Sequence, residues 1–154
     1  MNKNRYLVHA AAIAAVYAVL TIAFAPLSYG QIQVRFAEAL TILPFFTPAA
    51  IPGLFVGCIV ANFLGPGGIL DVVFGSAATL IAAYLSYKMP AKWLVPLPPI
   101  IANGIIIGYL LHYLYQLPLL ITIGWVALGE LISCYFIGYP LLLLLEKYRD
   151  KIFK

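Results

Sequence analysis

Charge is what this sequence has least of. Asp, Glu, Lys and Arg make up 9% of its 154 residues, where soluble domains carry roughly a quarter. Mean hydropathy is +1.02 and 64% of residues are hydrophobic. A water-soluble globule of this length cannot be covered by so few polar groups. Cysteine is scarce as well. Cys58 and Cys134 both fall in apolar stretches, which points away from a disulfide framework and from a metal site. There is no phosphate-cradling Gly-rich loop with its Lys and Ser/Thr, no HExxH pair and no nucleophile elbow. ATP hydrolysis is therefore not expected of this chain, and neither is a cofactor. The net charge is +4, yet this is no nucleic-acid footprint. Lys3, Arg5, Lys88, Lys92, Lys147, Arg149, Lys151 and Lys154 flank apolar runs, as juxtamembrane charges do.

What is abundant is apolar length. A spanning helix needs about 20 apolar residues. Residues 6–25 meet that length, and no cleavage-like end follows them, so they read as a first helix and not as a leader. Pro26, Ser28 and Gly30 then break the pattern. A short apolar piece covers 36–46 and a third covers 51–64. Gly65-Pro66-Gly67-Gly68 is a turn signal. Residues 69–87, 97–115 and 118–146 complete the set. The expectation is an all-α integral membrane protein of six transmembrane helices in one domain over 1–154. The second and third helices are too short for a straight crossing, so they are expected to tilt or to unwind where protein lines them. Five crossings with a re-entrant second segment is the competing count. With six, the basic N-terminus, the 88–92 connection and the basic C-terminus share one side, and positive-inside makes it cytoplasmic. The localisation expected is then the plasma membrane, multi-pass, with both termini inside. The outer connections are 26–34, 65–68 and 116–118.

Two features carry chemistry. The first helix has Ala10, Ala14 and Ala18 at a spacing of four, with Ala11 and Ala15 beside them. Small residues so spaced let another helix approach closely. That helix belongs either to this bundle or to a separate membrane subunit. The second feature is a set of ionisable groups within or at the edge of the membrane: Arg35, Glu38, Asp71 and Glu130. Such groups are expensive in hydrocarbon and are functional candidates by default. Arg35 and Glu38 sit three apart and also suit a helix-start pair. Asp71 also suits a helix N-terminus. Glu130 has no base near it in sequence. Asn62 ends the third segment on the outer side, Asn103 lies with Glu130 nearer mid-depth, and Trp125, near Glu130, is the aromatic to place with them. Together they line a cavity expected to open outward. Three acids against one base suit a ligand that is cationic or rich in hydrogen-bond donors.

The stretch APLSYGQIQVRFAEALTILPFFTPAAIPGLFVGCIVAN, followed by GGILDVVFGSAATLIAA, resembles the QueT family. These are substrate-binding S-components of energy-coupling factor (ECF) transporters, assigned to queuosine precursors. The likeness covers nearly the whole chain and is densest from Ala25 to Ala83. It implies a six-helix bundle that takes a nucleobase-like solute from outside, with the 26–34 loop closing over it. It also implies docking, through Ala10, Ala14 and Ala18 with Ala11 and Ala15, to a transmembrane coupling protein that carries two ATPase subunits. A deazaguanine base offers a ring N–H beside an exocyclic amine, and one carboxylate can accept both. Two other readings stay open: an S-component for another small nutrient, and a self-sufficient proton-coupled carrier using Glu130 or Asp71.

Overall fold

The computed structural model describes residues 2–30 and 33–153. Gln31 and Ile32 of the 26–34 connection, and Lys154 of the basic C-terminus, lie outside the described residues. All the regular elements among those described are helical. Helix α1 spans Lys3–Ala23. It stops where Pro26 approaches, because proline cannot supply the N–H that continuation needs. A single turn, α2 (Ala25–Ser28), follows with Pro26 in its first turn. The backbone is extended at Arg35, then closes into a 3-10 helix over Phe36–Phe45. Helix α3 covers Ala50–Leu64 and α4 covers Gly68–Lys88. Gly68 opens α4 at φ 70°, a left-handed position that favours glycine. Helix α5 runs over Leu97–Tyr115, with Pro98 and Pro99 in the first turn, where missing N–H groups cost nothing.

The last apolar segment departs from the single helix expected over 118–146. It is α6 (Leu119–Leu131), a π-helical stretch Ile132–Gly138, and α7 (Tyr139–Lys147). Pro140 explains the position of the wide turns, since it lacks a donor and its ring crowds the carbonyl four residues back. A short α8 (Arg149–Ile152) ends the chain, and Phe153 stacks on Phe46 at 5.2 Å.

Four runs are long and apolar enough to cross a membrane: Lys3–Ala23, Gly68–Lys88, Lys92–Tyr115 and Leu119–Lys147. The chain is an all-helical membrane protein. The second and third expected segments are present but short. Ten residues of 3-10 helix rise about 20 Å, and fifteen of α-helix rise about 22 Å, against a hydrocarbon core of roughly 30 Å. The 3-10 helix is the buried axis of the bundle. It packs on α1, α3, α4, the π-helical stretch and α7. Its Ala37, Glu38, Ala39, Thr41 and Ile42 are all buried.

Close approach of α1 and α3 frames one wall. A Cβ at Gly57 would lie 2.8 Å from the Ala14 carbonyl oxygen and 2.9 Å from Tyr17 Cβ. Gly53 meets the Ala10 carbonyl in the same way. The alanine strip therefore splits. Ala18 is buried, Ala10 and Ala14 are half-buried against α3, and Ala11 and Ala15 face outward. Gly57→Ala is expected to force backbone apart, at a cost of about 1–3 kcal/mol. The check is the thermal midpoint of the ligand-free protein in detergent, which should fall. An unchanged midpoint would contradict the close approach.

A buried carboxylate cluster as the candidate functional site

The 3-10 helix carries Glu38 into the middle of the bundle, where it is 1% exposed. Its first turn is closed by the Glu38 N–H donating to the Arg35 carbonyl at 2.9 Å. The Thr41 hydroxyl caps the Glu38 carbonyl at 2.6 Å. On the side chain, Tyr17 of α1 donates its hydroxyl to Glu38 Oε1, and Thr79 of α4 reaches the same oxygen at 3.5 Å. Thr79 is also 3.3 Å from Cys58 Sγ. That sulfur takes the Asn62 amide at 3.3 Å and the Arg35 guanidinium at 3.8 Å. Asn62 spends its other N–H on the Asp71 carbonyl at 3.0 Å. A Cβ at Gly75 would sit 2.5 Å from Asn62 Nδ2, so glycine at that turn of α4 is what admits the amide.

A second group adjoins the first, with Asn103 also within reach of the Glu38 side chain. Asn103 of α5 donates to Glu130 Oε1 at 2.9 Å, and Cys134 Sγ is 3.5 Å from Glu130 Oε2. Cys134 also approaches the Glu38 carbonyl at 3.6 Å, which links the two groups. Glu38 and Glu130 are within each other's electrostatic reach. Arg35, the buried base among the described residues, acts on Glu38, Asp71 and Glu130 alike.

A cavity of about 190 Å³ opens above this cluster. Three connections meet around it: Tyr29, Gly30 and Gln33 from the first, Pro66 and Gly67 from the second, and Leu117 from the third. Asp71 reaches its wall from α4. Tyr29 is tied to α3 by its hydroxyl, which donates to the Ala61 carbonyl at 2.6 Å. Arg35 lies over the Tyr29 ring at 5.4 Å, and burial pushes that phenol above its usual range while Arg35 opposes the rise. His112 holds the third connection by a hydrogen bond to the Leu117 carbonyl. In an otherwise apolar bundle, this is an acidic, donor-seeking interior beneath an open mouth.

The profile of the QueT transporter family matches residues 7–147. The chain belongs to the QueT transporter family. It is also similar to the queuosine precursor transporter QueT of Lactococcus lactis subsp. cremoris (strain MG1363), with 31% identity over 153 residues and 89% of each chain covered. No solved structure matches it.

For this member of the QueT family, the structure brings Arg35, Glu38, Asn62, Asp71, Asn103 and Glu130 into one connected interior. Only Asp71 of these lines the cavity wall. Arg35 turns to Cys58 and Tyr29, and among the described residues no contact-range ion pair joins it to Glu38. Trp125 is half-buried on α6, and among the described residues no hydrogen bond or ring contact ties it to the cluster. Sequence reasoning missed Tyr17, Thr79, Cys58 and Cys134 as members. Tyr17 carried a usable signal. A tyrosine at the middle of a span is no interfacial belt residue, and buried it needs a partner for its hydroxyl. Cys58 and Cys134 are free and buried, as small core residues should be, but each also lies beside an acid or its partner.

Proposed function

We propose that this chain is the substrate-binding subunit of an ECF-type importer and that it takes up a queuosine precursor. The base enters from the side where the three connections meet, and the 26–34 loop closes over it. The observation that carries this is the buried cluster of three carboxylates around one base, whose Asp71 forms part of the wall of that cavity. The named relative supplies the substrate class; a deazaguanine base, with its row of N–H donors, suits an acceptor-rich interior. In this reading the whole chain is one membrane domain of six crossings, with both termini on the cytoplasmic side of the plasma membrane. The short 3-10 helix and α3 cross with protein around them, where irregular backbone is tolerated. No phosphate-binding loop occurs in the sequence, so energy comes from a coupling protein with two ATPase subunits.

Docking falls to the outward half of the α1 alanine strip. Ala11 and Ala15 are exposed, and α1 is the least buried of the four long helices. Ala15→Trp is expected to leave base binding by the isolated chain near the parent value and to abolish ATP-driven uptake with the partner subunits, because close helix approach needs small side chains. Uptake by the chain alone that collapses with the proton gradient would instead favour a self-sufficient carrier. Loss of binding together with intact assembly would make the outward face internal to function.

A further inference from the structure

Glu38 and Asn62 each keep one acceptor atom without a partner. Glu38 Oε2 and Asn62 Oδ1 are buried and accept no hydrogen bond from the described residues. Buried acceptors in that state are costly. Ser28 and Ser76 share the condition, but a helical hydroxyl can rotate to its own i−4 carbonyl. A carboxylate and an amide held at their other ends cannot.

Both are held. Tyr17 and Thr79 converge on Oε1 of Glu38, which holds the carboxylate in place, and either way round one of its two equivalent oxygens keeps the second position. Asn62 uses Nδ2 on the Asp71 carbonyl and on Cys58. A flipped amide would set oxygen against that carbonyl oxygen. The two free acceptors stand on either side of one contact, Thr79 to Cys58 at 3.3 Å. Glu130 differs, since Asn103 occupies one of its oxygens and Cys134 the other.

We propose that Glu38 Oε2 and Asn62 Oδ1 are the paired atoms that read the ligand, with Tyr17 and Thr79 as positioning residues for Glu38. The ligand class is a planar heterocycle presenting two N–H donors, one to each residue, and not both to one carboxylate. This rests on the precursor-binding reading above.

The test is equilibrium binding by the full chain in nanodiscs, with two probes. One is the aminomethyl deazaguanine base, the other the same base lacking its exocyclic amine. The parent chain should prefer the first by about tenfold or more. Glu38→Gln and Asn62→Leu should each weaken the full base by about tenfold or more, and one of them should bring the preference between probes close to one. Tyr17→Phe, nearly isosteric, should shrink that preference, and Thr79→Ser should keep it. If Asn62→Leu does not fold, the affinity of Tyr17→Phe for the full base decides, since it should fall with that of Glu38→Gln whichever donor Glu38 takes. An undiminished preference in Glu38→Gln, Asn62→Leu and Tyr17→Phe, or a change confined to Glu130→Gln, overturns the pair. Failure of the parent to bind either probe is a different result, and it overturns the precursor reading together with the pair.

Discussion

Glu38→Gln is expected to cut affinity for a deazaguanine base by roughly ten- to a hundredfold, while the ligand-free protein melts no lower than the parent. Tyr17 donates to Oε1, with the Thr79 hydroxyl in reach at 3.5 Å, so the carbonyl of the new amide must stay there. The NH2 then occupies the position of Oε2 and meets the ligand's donors with donors. Losing charge-assisted bonds costs about 1.5–3 kcal/mol, which is the stated range. Stability should not suffer in parallel, because a neutral amide in a 1% exposed site avoids the desolvation of a carboxylate. Calorimetric titration and a thermal melt of the same sample separate the two effects. Equal affinities for parent and variant would remove Glu38 from recognition and leave the contacts to Asn62, Asn103 or the backbone.

Arg35→Gln should be the most destabilising single change in the cluster. Arg35 is 6% exposed and is the buried base that faces three buried carboxylates. Removing the base leaves buried acids without their balancing charge and desolvated, at a cost of about 1–3 kcal/mol. The guanidinium also covers Tyr29 and reaches Cys58, so packing is lost with charge. Adding Glu38→Gln to Arg35→Gln should recover part of the loss, since one uncompensated acid disappears with it. A double-mutant cycle on thermal midpoints in detergent measures the coupling. Strict additivity, or a midpoint unmoved by Arg35→Gln, would show that Arg35 does not balance the cluster.

Much of this was written in the sequence. Apolar run length located every long helix to within a few residues, because the bilayer imposes a length that composition reveals. The Gly65–Gly68 turn and the prolines set the breaks. Intramembrane charge singled out Arg35, Glu38, Asp71 and Glu130, and all four are buried together. Other features were hidden for physical reasons. Whether 36–46 coils as α- or 3-10 helix depends on packing around a short apolar piece, which periodicity does not encode. The π-helical stretch depends on how Pro140 is absorbed, by a kink or by a widened turn. The alanine strip showed where a helix can approach, yet which neighbour uses each side is settled by Gly53 and Gly57 on α3. Neutral polar residues within spans, Tyr17 and Thr79 above all, look like ordinary membrane-helix composition until their partner is in place.

The most direct test is native mass spectrometry of the chain purified without any partner subunit and incubated with the aminomethyl deazaguanine base. The account predicts a one-to-one adduct in the parent that is largely lost in Glu38→Gln. No adduct in the parent, or an adduct equally abundant in the variant, would contradict it.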